Sequence, residues 1–189
     1  MTSTANTPRT SPPRRGFTLV ELLVTVAVIA LLMAILIPVL GMARGKARAA
    51  KANMLISNMA NALEKYRDDF RSYPPDTVLA DGTASSNGSE ILYSYLGQRL
   101  QWGEMHYGPY VEIPANEMVA SASGKKQILS PLGGTYLYGR YNPDGDGTLQ
   151  SCVIVDPGAD RKLGGSLDPK VGFVPDATTD SQDNLISNK

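Results

Sequence analysis

One carboxylate stands inside the longest apolar run of this 189-residue chain. From Phe17 to Leu40 the sequence reads FTLVELLVTVAVIALLMAILIPVL, and Glu21 is its only formal charge. A lone carboxylate in such surroundings costs about 3 kcal/mol unless a cation joins it. Two readings are open: an end residue that snorkels to the polar edge, or one half of an ion pair made in an apolar setting. Other reactive residue types are sparse. Cys152 is the single cysteine, which excludes an internal disulfide, and His106 is the single histidine, which excludes a multi-histidine zinc site. No nucleophile elbow, P-loop, His-Glu helix or cysteine pair occurs, so the sequence points away from an enzyme. Cys152 alternates with Val153 and Ile154 on an apolar stretch and reads as a buried structural thiol.

Oxygen donors gather in two places. Asn142, Asp144 and Asp146 alternate ahead of Gly147, the opening spacing of an EF-hand loop. The twelfth position is Val153, which lacks the bidentate carboxylate, and a tight turn is the competing reading. The second place is Asp156 to Lys189, with Asp160, Asp176, Asp180, Asp183 and Asn184 on a stretch with few apolar anchors. Calcium takes ~6–8 oxygen ligands from irregular loops, and one ion would tie such a tail together. A solvated acidic tail is the alternative.

Three kinds of segment must position these residues. Met1 to Gly16 is polar, proline-rich and free of acids, and reads as a leader outside the fold. Phe17–Leu40 as a helix is ~36 Å long, enough to cross a bilayer core of ~30 Å. It exceeds the core of a secretory signal, and no small-residue cleavage site comes after it. The basic leader places the N-terminus in the cytoplasm and the residues beyond the helix outside the inner membrane. Residues 41–72 continue the helix: Leu55, Met59, Leu63, Tyr66 and Phe70 draw one apolar stripe. Pro38, Gly41 and Gly45 invite a bend or a locally unwound segment. Arg44, Lys46, Arg48 and Lys51 form a basic collar. Pro74 and Pro75 end the helix.

Residues 73–189 hold most of the 18 glycines and 13 prolines and read as a loop-rich, β-containing domain. Residues 76–90 read as a polar loop and Glu90 to Leu100 as a brief helix. The aromatics between Gln101 and Glu112 read as core packing or a binding face. Gly134 to Tyr141 and Leu149 to Val155 read as two strands of a hairpin. The expected whole is α+β: a long N-terminal helix, membrane-spanning in its first half, packed on one small antiparallel sheet.

Charge sets a further bound. The 18 basic and 18 acidic residues balance, but Arg9, Arg14 and Arg15 lie in the leader, so without it 15 basic residues face 18 acids, a net of −3. That balance does not favour nucleic acid as a partner.

The segment Arg14-Arg15-Gly16-Phe17-Thr18-Leu19-Val20-Glu21 resembles the processing site of class III signal peptides, found on type IV pilins and type II secretion pseudopilins. The resemblance implies cleavage between Gly16 and Phe17 by a prepilin peptidase and N-methylation of Phe17. It implies that Glu21 pairs with the N-terminal amine of a neighbouring subunit, and that Pro38 is a helix-bending proline. Tyr73-Pro74 fits the same family. Gly158-Ala159-Asp160, Gly164-Gly165 and the tail DSQDNLISN resemble the C-terminal calcium loop of major pseudopilins. That likeness implies Asp160, Asp180, Asp183 and the Leu163 carbonyl as calcium ligands. Ser166 to Thr179 is longer than that pattern, and Arg161 stands where the family often has Gly.

Two functions are expected. In the first, the chain is a structural subunit of a type II secretion pseudopilus or a type IV pilus-like filament. It sits in the inner membrane, polymerises through its N-terminal helix and works with an assembly platform, its ATPase and other pseudopilins or minor pilins. The calcium-loop likeness and the presence of Glu21 favour a major pseudopilin. In the second, the chain is a minor or tip pilin, or a membrane-anchored module, that contacts DNA, a surface or a secreted substrate through Trp102–Tyr110.

Overall fold

The computed structural model describes residues 16–144, 149–162, 165–175 and 185–188. The chain divides into two units, Met1–Arg44 and Gly45–Lys189. One helix, α1 (Leu19–Phe70), supplies both. It opens with a cap: Thr18 Oγ1 accepts the Glu21 amide at 3.2 Å, the first half of a Thr-x-x-Glu capping box. Helical backbone runs unbroken past Pro38, which donates no hydrogen bond, and past Gly41 and Gly45, so of the two alternatives expected there the unwound segment is not present. Ala, Leu, Met and Arg on either side favour the helix enough to carry the glycines.

In the first unit, every residue from Gly16 to Arg44 is exposed. Helix length and apolar composition suffice to cross a membrane, and none of that apolar window is buried within the chain.

In the second unit, α1 becomes amphipathic. Leu55, Ile56, Met59, Leu63 and Tyr66 are buried, and Phe70 packs at the margin. Each such side chain contributes about 1.5–3 kcal/mol of transfer free energy. They meet helix α2 (Gly88–Leu96) through Ile91, Leu92, Tyr95 and Leu96. The expected helix at Glu90–Leu100 therefore exists but starts and ends earlier. Asn87 caps it by accepting the Ser89 amide at 3.0 Å, and Leu100 has already joined a strand.

Among the described residues the strands form four small antiparallel sheets, where one was expected. β1 (Leu100–Trp102) pairs with β2 (Met105–Tyr107), and β3 (Met118–Ala120) with β4 (Lys126–Ile128). β5 (Leu137–Tyr141) pairs with β6 (Ser151–Asp156), which also pairs with β9 (Leu185–Asn188). β7 (Gly165–Asp168) pairs with β8 (Gly172–Pro175). The hairpin expected from the two apolar runs is β5–β6, with Leu137 opposite Val155 and Tyr141 opposite Ser151. β6 is buried on both faces. Cys152 and Ile154 join the main core, while Val153 and Val155 meet Phe173, Leu137 and Tyr141 on the other side. Alternation across a strand explains why its sequence is apolar throughout. Cys152 is a buried free thiol.

The turn after α1 is tied to this sheet. Tyr138 donates its hydroxyl to the Pro74 carbonyl at 2.8 Å, and the Arg140 amide donates to Asp76 Oδ2 at 3.1 Å. Burial raises the Tyr138 hydroxyl pKa well above its ordinary value, so it stays a donor.

Candidate assembly site and acidic loops

Gly16 and Phe17 precede α1 and are exposed, Phe17 by 79%. Both residues of the Gly16–Phe17 bond are therefore accessible within the described chain. Glu21 lies in the first turn of α1, four residues beyond Phe17. A carboxylate there faces the positive end of the helix dipole, and an amine newly made at Phe17 would add a second positive charge at the same end. Glu21 is the only acid among Phe17–Leu40, so it is the one residue of that run able to balance a cation there. Pro38 sits inside α1.

Of the collar, Arg44, Lys46 and Arg48 are exposed. Lys51 departs from it: its ammonium pairs with Glu117, a carboxylate only 4% exposed. That pair ties α1 to the 3-10 turn Ala115–Glu117 ahead of β3.

The hairpin loop begins as a local turn. Asn142 Oδ1 accepts the Asp144 amide at 3.2 Å, while the Asn142 amide donates to the Pro169 carbonyl at 2.7 Å. Asp146 lies outside the described residues. In the second acidic segment, Asp160 is exposed and its Oδ1 accepts the Lys162 amide at 2.8 Å. Leu163, Asp180 and Asp183 also lie outside the described residues. Among the described residues, no three of His, Cys, Asp and Glu come together in metal-binding geometry.

The aromatic segment divides. Tyr110 packs edge-on to Tyr66, with ring centroids 5.7 Å apart, and donates its hydroxyl to Asp69 at 2.7 Å. Burial and that carboxylate both raise its pKa. Tyr107 and Trp102 lean on Phe70 at 4.9 and 5.9 Å. Trp102 nonetheless stays 72% exposed, and Met105, opposite it across the hairpin, 65%. His106 is exposed.

One group was not legible in the sequence. Tyr73, 1% exposed, donates its hydroxyl to Glu64 Oε1 at 2.8 Å and accepts from Arg67 Nη1 at 2.9 Å. Glu64 and Arg67 themselves pair at 2.6 Å. The only sequence signal was the i, i+3 spacing of Glu64 and Arg67.

A family model for the prokaryotic N-terminal methylation motif matches residues 12–37. The chain carries the class III signal peptide of type IV pilin-like proteins, and that motif points to a structural subunit. The comparisons with curated proteins and with solved structures each found no match.

Proposed function

We propose that this protein is a filament subunit of the type II secretion pseudopilus or a type IV pilus-like assembly, cleaved after Gly16 and methylated on Phe17. The observation that carries the reading is the coincidence of two features on one segment. The methylation motif covers residues 12–37, and the apolar helix it opens is exposed on every side within the chain. An apolar surface of that size needs a cover. Lipid supplies it before assembly, and helices of neighbouring copies supply it afterwards, so transfer between the two keeps apolar area out of water. Prepilin peptidase, an inner-membrane platform with its ATPase, and other pseudopilins or minor pilins are the partners this reading requires. The second unit lies in the periplasm before assembly and on the filament's outside after it.

Glu21 pairs with the Phe17 amine of a neighbouring copy. Removing one partner from a buried ion pair costs on the order of 3–5 kcal/mol. Glu21→Ala therefore leaves the chain processed and membrane-inserted and lowers its recovery in filaments at least tenfold. Filament yield equal to the parent's would rule out that role.

Calcium belongs to the same reading, with Asp160, Asp180 and Asp183 as carboxylate donors and Leu163 as a carbonyl donor. Support comes from their oxygen chemistry and from their resemblance to the pseudopilin loop. Millimolar calcium then raises the melting temperature, and Asp160→Asn reduces the rise. An unchanged melting temperature removes the ion and leaves the filament reading standing.

A further inference from the structure

The C-terminal end of α1 borders two unlike patches. Phe70 packs against the β1–β2 hairpin through Trp102 and Tyr107, and Tyr66 against Tyr110. Arg67 lies one residue beyond Tyr66, about 100° around the helix, and Arg71 follows the last residue of α1. With Arg140, Tyr73 and Leu149 they line a cleft of about 680 Å³. Among the described residues, the cleft is lined by three arginines, two of them with a carboxylate partner. Glu64 pairs with Arg67 at 2.6 Å, and Asp76 lies 3.8 Å from Arg140. Among the described residues, no carboxylate lies within ion-pair distance of Arg71.

Arg71 is also conformationally unusual. It follows the last residue of α1 at φ +60°, with its amide bonded to the Arg67 carbonyl at 2.7 Å. That left-handed position is where helices commonly place glycine, because a Cβ is disfavoured there. Arg71 is thus an exposed cation fixed in place at the end of α1, beside Arg67 and Arg140.

The hairpin tip carries complementary chemistry. Glu104 is exposed in the two-residue turn between β1 and β2, flanked by exposed Trp102 and Met105. A carboxylate beside an indole matches a cleft lined by arginines, through ion pairing and cation–π contact. The cleft is far larger than a single inorganic anion. Tip and cleft are different patches of the chain: the hairpin packs on Phe70 through Trp102 and Tyr107, while Arg67 and Arg71 line the cleft. Copies joined tip to cleft therefore form a heterologous contact, the type that propagates as a ring or helical filament.

We propose that the Trp102–Met105 tip of one copy seats in the arginine cleft of the next, with Glu104 pairing Arg71. This contact rests on the filament reading and adds a link between globular domains to the packing of the N-terminal helices. The test uses the full-length chain in cells that assemble it. Arg71→Glu and Glu104→Arg are each expected to lower filament mass at least fivefold with the membrane-inserted pool unchanged. Combining them restores it to within twofold of the parent. Independently, paired Arg71→Cys and Glu104→Cys changes yield oxidant-dependent ladders of linked subunits, and neither single change does; Cys152 is buried and stays out of the reaction. Filaments that form normally with both charge reversals and give no ladder overturn the contact while leaving the filament reading intact. Loss of filaments without rescue by the double reversal, and without a ladder, overturns it as well. A parent chain that never forms filaments ends both.

Discussion

Gly88 carries the most direct test of how the second unit is held together. It opens α2 where the helix meets the backbone of β5. A Cβ built on Gly88 would overlap the Tyr138 amide nitrogen and lie 2.7 Å from the Tyr136 carbonyl oxygen. Ordinary contacts need ~3.5 Å, so Gly88→Ala forces α2 away from the strand by about 1 Å. Both obstacles are backbone, which no rotamer change relieves. The next residue suffers too: Ser89 Oγ accepts the Tyr136 amide at 2.6 Å, in a buried position. Overpacking costs about 1–3 kcal/mol, and weakening that hydrogen bond adds about 1 kcal/mol. A loss of roughly 2–4 kcal/mol corresponds to a melting temperature lower by about 5–15 °C for a unit of this size. All nine tyrosines lie after Gly45, so near-ultraviolet circular dichroism of the full chain in detergent reports chiefly on this unit. A variant melting within 1 °C of the parent would refute the close approach of α2 to β5.

Two further substitutions test local geometry. Arg71→Gly relieves the left-handed strain after α1 and is expected to stabilise the second unit by about 0.5–1 kcal/mol, read by urea unfolding, while lowering filament mass. Glu90 is 5% exposed and accepts hydroxyl bonds from Ser85 and Ser123, each at 2.8 Å. Burial pulls its pKa up, but hydroxyl donation from Ser121, Ser123 and Ser85, with the nearby Lys125 charge, more than offsets this and leaves it below the usual 4.5. A depressed folded-state value contributes stability that is present above the unfolded value and is lost as pH falls through the folded one. Glu90→Gln should therefore lower the melting temperature near neutral pH and flatten its decline below about pH 4.5; an unchanged acid limb would show that Glu90 does not set it.

How far the sequence revealed this arrangement depended on period and length. The apolar run at Phe17–Leu40 and the stripe from Leu55 to Phe70 are long enough to declare a helix, and β5–β6 has two apolar strands around a turn-rich loop. The start of α2 was hidden because Asn87-Gly88 reads as a turn, although here Asn87 is a cap and Gly88 a close-contact residue. The β1–β2 hairpin has three residues per strand, too few to show alternation. Its one local signal was Gly103-Glu104, a Gly-X pair suited to a two-residue turn, with Gly103 at φ +64°. Lys51 looked like part of a basic collar because its partner, Glu117, is distant in sequence. Arg140 is likewise distant from Arg67 and Arg71, and only the fold brings the three to one cleft. Gly16, Phe17 and Glu21 were legible because processing is read from a short linear motif.

Membership of a processed filament turns on the Gly16–Phe17 bond, and the intact mass and N-terminal residue of the protein from its native membrane test it. The expected result is a chain that begins at Phe17 and carries one added methyl group. A chain that still begins near Met1, or one cut beyond Leu40, would contradict it.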